Sequence, residues 1–496
     1  MRRNINSKTC LIVWLILLTL QAATTVAAKI IYVDDDANGL NDGSSWQNAY
    51  KFLQDALMMA RDGDELRVAQ GVYKPDQFAL SDRPNLGRAE TFQLKNGVTL
   101  KGGYAGFGQP DPNLRNIELY KTILSGDLAG NDIEVNDPCD LLTEPTRFEN
   151  SYNVVTGYQT DTMNITTDVL DGFTIAGGNA NGPSYPHNCG GGMLCKSDST
   201  VRNCMLTGNW ASYGGGMYCG PSWCCVTEPT LVNCIFERNS ACYGGGMAVG
   251  DSDPRMINCT IRGNSASEDG GGILFYNDNF TTMVNCLIND NSAGQDGGGM
   301  YCIFSFNWIV TNCTISNNSA GNLGGGMFKG YDTYMTLTNC IFRSDSDSGG
   351  TDESAHIHVD RSGNPTVNYS CIQGWTGALG GIGNFSEDPR FADPNNDDYH
   401  LKSQAGRWDA NSASWVKDDV TSLCIDAGDP ASPIGLEPFP NGGIINMGAY
   451  GGTAEASKSY FGEPVCETIV AGDINGDCIV NLKDFALLAF HWLEEH

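Results

Sequence analysis

An Asn-Cys pair that returns at a near-constant interval constrains this chain more than any other feature. It stands at Asn203-Cys204, Asn233-Cys234, Asn258-Cys259, Asn285-Cys286, Asn312-Cys313 and Asn339-Cys340, with the cysteines 30, 25, 27, 27 and 27 residues apart. Two residues after each cysteine comes Leu206, Phe236, Ile261, Ile288, Ile315 or Phe342. Five after it, in every copy but the last, comes Asn209, Asn239, Asn264, Asn291 or Asn318. Gly-Gly-Gly runs lead into Met193, Met217, Met247, Ile273, Met300 and Met327. A phrase repeated at this spacing builds one unit again and again, each covering the apolar face of the last.

A period in the mid-twenties with alternating apolar positions and Asn/Gly punctuation predicts a coil of three short strands joined by turns. Successive coils then stack in parallel about 4.8 Å apart. The fold class expected is all-β, a parallel β-helix solenoid. Alternation turns each cysteine and the Leu, Ile or Phe two residues later inward. The buried thiols read as small apolar side chains forming a free-thiol layer, with bridges between coils as the alternative. Asparagine tolerates left-handed turn angles and can bond to an asparagine one coil away. The glycines permit tight or positive-φ backbone.

The pairing of "FERN" or "ISNN" with "GGGM" resembles the F-x-x-N and G-G-A-[ILV] repeats of polymorphic outer-membrane proteins. More broadly, it resembles right-handed parallel β-helix proteins of the pectate-lyase-like class. The resemblance covers about residues 90 to 385 and is strongest from 189 to 342.

The ends divide accordingly. Arg2, Arg3 and Lys8 before the apolar run Cys10 to Leu20, then Val26-Ala27-Ala28, read as a signal peptide over 1–28, so the protein is expected to be secreted, extracellular or cell-surface associated. Residues 29–90 form the N-terminal cap and first strand. There Trp46, Ala49, Phe52, Leu53, Ala56, Leu57 and Ala60 lie at helical spacing, and a strand is expected from Leu66 to Val72. Asp34, Asp35, Asp36 and Asp42 are either a solvated turn or oxygen ligands for calcium. The solenoid is expected over 91–385, a closing segment over 386–456 and a linker over 457–471. In the closing segment, "EDPRFADPNNDDYHLKS", "CIDAGDP" and "INMGAYGG" resemble the segment that follows such solenoids in proteins with a choice-of-anchor domain. That resemblance implies scaffold roles for Asp426, Gly428, Gly448 and Tyr450.

Residues 472–496 form a separate motif. Asp473, Asn475, Asp477, Asn481 and Asp484 place oxygen-bearing side chains at positions 1, 3, 5, 9 and 12 of a calcium loop, with the Ile479 carbonyl at position 7. "DFALLAFHWLEE" supplies the following helix. The motif resembles one half of a dockerin, which implies calcium as cofactor and a cohesin-like or cell-surface partner. Cys478 replaces the usual glycine at position 6 and a second loop is missing; Cys466 and Cys478 are placed to pair.

A formal charge of −29, from 58 acidic and 29 basic side chains, excludes nucleic acid and anionic membranes as partners. The function expected is a secreted, monomeric, calcium-binding β-helix that binds extracellular polysaccharide and takes part in its degradation. The alternative is a non-catalytic structural or adhesive surface protein. No catalytic set is recognisable: neither the carboxylate sets of polygalacturonase-like hydrolases nor the Lys/Arg pairing of lyases is present as a motif. His356, His358 and Asp360 in "HIHVDR" are expected on one strand face, as ligands for a transition metal or as a plain polar face. Tyr213, Tyr218, Trp223, Tyr243, Tyr276, Tyr301, Trp308, Tyr331 and Tyr334 are expected on loops or variable strand positions, facing sugar rings or packing between coils.

Overall fold

The computed structural model describes residues 28–79, 86–158, 168–221, 226–278, 280–305, 307–361, 363–462, 472–474 and 479–494. The expected signal peptide, Cys466, Cys478, Trp223 and the Cys224-Cys225 pair lie outside the described residues.

Within the coil beginning at Thr200, Thr200–Arg202 belongs to an 11-stranded sheet (I) and Met205–Thr207 to a 10-stranded sheet (II). Trp210–Tyr213 belongs to a 6-stranded sheet (III), and Met217–Cys219 to a 9-stranded sheet (IV). All four are parallel, and each strand pairs with its counterpart one coil away. Leu206, Phe236, Ile261, Ile288, Ile315 and Phe342, for example, lie in register. The chain is therefore a parallel β-helix. It carries four strands per coil in the regular region rather than the expected three, because short segments such as Ser265–Ala266 pair after the second asparagine.

The two asparagines of the repeat do different work. Those of the Asn-Cys pairs sit at φ 51° to 56°, left-handed backbone that turns the chain sharply from sheet I to sheet II. The cysteine that follows is fully enclosed, and its thiol lies against two carbonyls; Cys259 Sγ is 3.4 Å from the Ile257 oxygen and 3.6 Å from the Leu231 oxygen. A thiol here fills apolar space and adds a weak donor to carbonyls that already accept backbone N–H groups, as Ile257 does from Asn233. All described cysteines are free thiols.

The second asparagines form a buried ladder. Asn264 Nδ2 donates to Asn291 Oδ1 at 2.9 Å and to the Phe236 carbonyl at 2.9 Å, while Asn264 Oδ1 accepts from both the backbone and side-chain nitrogens of Asn239 at 3.0 Å. The pattern runs from Gly178 through Asn209 to Asn318 and ends on Asp345. Asp345 occupies the asparagine place in the sixth copy. A carboxylate accepts but does not donate, so the ladder stops there. Its other oxygen meets His356 Nδ1 at 2.9 Å, both side chains being fully buried.

The triple glycines divide in the same way. The first of each run has φ of 62° to 68°. The second is needed for close stacking, since a Cβ on Gly215 would lie 2.3 Å from the Ser240 oxygen and 2.5 Å from the Gly245 oxygen.

At the front, the capping helix is shorter than its sequence pattern and spans Leu53–Met59. Trp46 leaves the helical register to pack edge-on against Tyr32, with ring centroids 4.8 Å apart. The expected strand divides into Glu65–Ala69 and Gly71–Tyr73 at the corner between sheets I and II. Asp34 is enclosed rather than solvated and accepts from the Phe107 and Asp36 amides, whereas Asp42 lies apart and caps Ser44. At the far end the chain folds back over sheet II. Phe391, Tyr399, Leu401, Cys424, Ile425 and Met447 form a second core on the outward side chains Leu287 and Ile341.

Candidate functional site

The fold-back leaves a groove of about 540 Å³ where the closing segment meets the edge of sheet II. Its floor comes from the coils, with Ser316, Asn317, Arg343 and Ser344, and its wall from Asp388, Arg390, Phe391, Pro394, Asn395, Lys402 and Asp419. The wall is a hairpin of Phe391–Asp393 and Asp398–Leu401, closed by Asp397 at φ 62°. Asp397 anchors it to the coils through Arg262 at 2.8 Å and Asn289 at 3.0 Å. Tyr399 and Phe391 point down into the second core. The Lys402 amide donates to the Arg390 carbonyl at 3.0 Å, holding these two cationic residues side by side.

Charge sets this groove against the balance of the chain as a whole. Acids outnumber bases two to one overall, yet the lining holds Arg343, Arg390 and Lys402 against Asp388 and Asp419. Arg343 reaches Asp388 only at 3.8 Å, and among the described residues no ion-pair partner meets Arg390 or Lys402. Some arginines elsewhere are matched closely: Asp171 takes Arg115 at 2.9 Å and Arg202 at 3.0 Å, and against burial the Asn203 amide, with these two arginines, holds its carboxyl below the usual range.

The sequence-predicted sites fare unequally. His356, His358 and Asp360 do not share a face. His356 ends the helix Glu353–His356 and turns inward to Asp345, while His358 stacks on Phe328 at 5.1 Å. The expected metal trio is thus divided between ladder terminus and surface. The aromatic residues divide: Tyr213 stacks on Tyr243 at 5.3 Å, Tyr301 on Phe328 at 5.0 Å and Trp308 packs against Phe275 at 4.0 Å, whereas Tyr276, Tyr331 and Tyr334 are exposed.

In the C-terminal motif, Asp473 and Asp484 are both enclosed. Asp484 draws the loop ends together, accepting from the Ile474 amide at 2.8 Å and the Asn481 amide at 2.7 Å, while Asn481 Nδ2 donates to the Ile479 carbonyl at 3.0 Å. Asn475 and Asp477 lie outside the described residues. Carboxylate, amide and carbonyl oxygens are the donor type that a hard cation such as calcium takes. The helix Leu482–Glu494 leaves Leu482, Phe485 and Leu488 exposed.

Sequence reasoning missed the cationic groove because Arg343 lies in the coils and Arg390 and Lys402 in the closing segment, with the last coil between them. The available signal was "PRFADPNNDDYHLK", a segment whose basic residues bracket an acidic turn.

These features define the class, a right-handed parallel β-helix. Residues 184–327 match the family model described as right handed beta helix region, and residues 362–428 match disaggregatase related. No curated protein matches the chain. Among solved structures the chain is similar to pectate lyase Pel9A, at 14% identity and TM-score 0.41, covering 86% of this chain and 97% of that one. It is also similar to a rhamnogalacturonan lyase, at 13% identity and TM-score 0.36, covering 69% and 87% respectively. At these values neither likeness transfers a reaction or a residue role. Among the described residues no helix is long and apolar enough to cross a membrane.

Proposed function

We propose that the protein is a secreted β-helix that binds an acidic extracellular polysaccharide in the groove formed by Arg343, Arg390 and Lys402. The observation that carries this reading is the local reversal of charge: basic side chains without close partners gather at one open groove of an acidic protein. Guanidinium and ammonium groups facing solvent bind carboxylate by charge-assisted hydrogen bonds. A polar floor of Ser316, Asn317 and Ser344 offers hydrogen bonds to the hydroxyls of a uronate chain. The C-terminal loop binds calcium through Asp473, Asn475, Asp477, Ile479, Asn481 and Asp484. Its helix offers Leu482, Phe485 and Leu488 to a cohesin-like or cell-surface partner.

Affinity electrophoresis of the full chain in gels containing polygalacturonate or neutral dextran tests the groove. Retardation by the acidic polymer, weakened about tenfold or more in Arg390→Ala/Lys402→Ala and by raised salt, is expected. Equal retardation of wild type and double variant, or none by any acidic polymer, overturns the reading. Release of unsaturated uronate in the same mixtures separates a degrading protein from one that only binds.

A further inference from the structure

We propose that Cys371 and Cys424 form a disulfide that fastens the closing segment to the last coil. Both are free thiols in the structure, and both are enclosed.

The inward cysteine row ends at Cys340. Its next place is taken by Ser370, whose Oγ accepts from the Cys340 amide at 3.1 Å, just as Cys313 Sγ accepts from the Cys286 amide at 3.4 Å. Cys371 therefore falls one position later, in register with Ile341, and alternation turns it outward. There it joins the second core with Cys424, Ile425 and Met447. The Cys371 and Cys424 thiols are in hydrogen-bond contact, within reach of a bridge whose Cβ atoms stand about 3.5–4.5 Å apart.

The backbone on both sides holds the pair in place. Cys371 Sγ lies 3.1 Å from the Glu387 carbonyl oxygen. Two residues on, the Pro389 carbonyl accepts from Ser422 Oγ at 2.6 Å, and the same hydroxyl oxygen accepts from the Cys424 amide at 3.1 Å. Residues 387–389 thus bring the strand Cys371–Ile372 and the turn carrying Cys424 together. The inward row offers no such single pairing, since Cys259 touches both Cys234 and Cys286, and Cys313 touches both Cys286 and Cys340.

The oxidant required is a small disulfide of the glutathione type. The Cys371 thiolate attacks one of its sulfurs, leaving a mixed disulfide and releasing one thiol; the Cys424 thiolate then attacks the Cys371 sulfur and releases the second. The protein loses two electrons and two protons, which leave as the two thiol products. The Cys371 contact, and then burial, push the Cys424 thiol well above its ordinary value, so the docked pair is inert and exchange occurs while the segment is undocked. Formation in the protein's own setting rests on the secreted reading above, which supplies an oxidising exterior. Asp388, Arg390 and Asp419 of the cationic groove flank this junction, so the bridge would fix the groove's wall.

The full-length chain is incubated with oxidised and reduced glutathione in urea below its unfolding transition. Remaining thiols are then alkylated, and the chain is digested without reductant for mass spectrometry. A linked peptide pair carrying Cys371 and Cys424, two hydrogens lighter than the separate peptides, is expected in most of the protein. Tryptic cleavage within 386–456 should be at least about tenfold slower in this form than after dithiothreitol. Dithiothreitol should change nothing in Cys371→Ser/Cys424→Ser, whose fold is checked by circular dichroism. Recovery of both cysteines alkylated, or of Cys424 linked to any other cysteine, overturns the proposal. Because the buffer supplies the oxidant and no polysaccharide is present, that result stands apart from failure of the export or groove readings.

Discussion

In the coils from Asn203 to Phe342, each ladder asparagine finds its partners one coil away in the same geometry. The closing segment, laid over sheet II, instead buries isolated ionisable groups. Asn239, Asn264 and Asn291 each give and take bonds along one line. Glu437, by contrast, is enclosed with one oxygen accepting from the Asn446 and Gly452 amides and the other without a partner among the described residues. His400 is enclosed between Asp398 at 2.7 Å and Glu455 at 3.6 Å. Repetition lets one residue type satisfy itself, whereas a unique segment must find a different partner for every polar group. The coils are therefore expected to be vulnerable to geometry and the closing segment to pH.

The largest effect is expected at the ladder. Asn264→Ala removes the side chain from four hydrogen bonds and leaves the Asn239 backbone N–H and one hydrogen of Asn239 Nδ2 without their acceptor inside the core. At about 1–3 kcal/mol per stranded group, a loss of about 4 kcal/mol is expected in urea unfolding. Asn264→Asp should cost a similar amount at neutral pH, since a carboxylate retains the acceptor, loses both donors and buries a charge. A loss below about 1 kcal/mol for Asn264→Ala would mean that the coils relax around the gap and are not rigidly stacked.

The regular coils were legible in the sequence because stacking copies any mistake into every coil, so composition at each position is narrow. Cys259 and Ile261 were assignable to the interior from alternation alone, and both are enclosed. Two things escaped. Sheet III escaped because most of its strands, such as Ser292–Ala293, have two residues and no alternation to read. The ladder terminus escaped although its signal was present: Asp345 stands five residues after Cys340, where the other copies carry asparagine. Only the fold brings His356 to it. For the candidate groove the reason is more general, since Arg343, Arg390 and Lys402 meet through a fold-back that no periodicity encodes.

An intermediate effect is expected in the closing segment. Burial pushes Glu437 up to about 7 from the ordinary 4.5, with two backbone amides opposing and Asp426, itself raised by burial to about 6, adding to the rise. The folded chain then binds more protons than the unfolded chain between about pH 4.5 and 7, so stability falls as pH rises through that window. Glu437→Gln keeps an acceptor for both amides and cannot ionise. The variant is expected to match wild type near pH 5 and to exceed it by about 2 kcal/mol at pH 8. His400 acts in the same direction. Burial alone would lower its pKa, but Asp398 and Glu455 outweigh burial and hold it above 6.5, so its stabilising charge is present at low pH and is lost as pH rises through that raised value. Parallel pH curves for wild type and Glu437→Gln would place the sensitivity on His400.

The smallest effect falls on the outer asparagines, and it separates the two roles that one residue type holds in this repeat. Asn258 is exposed, sits at φ 52° and donates to Asn233 Oδ1 at 3.3 Å. Glycine at this position loses a surface hydrogen bond but adopts the left-handed angle freely, whereas alanine loses the bond and strains the backbone by about 1 kcal/mol. Asn258→Gly is therefore expected within about 0.5 kcal/mol of wild type and Asn258→Ala about 1 kcal/mol below it in urea unfolding. The order should reverse nothing at Asn264, where glycine and alanine are equally unable to donate and both should fall near 4 kcal/mol. Equal losses for glycine and alanine at Asn258 would show that the outer row, like the inner one, is held by its side-chain bonds and not by its turn.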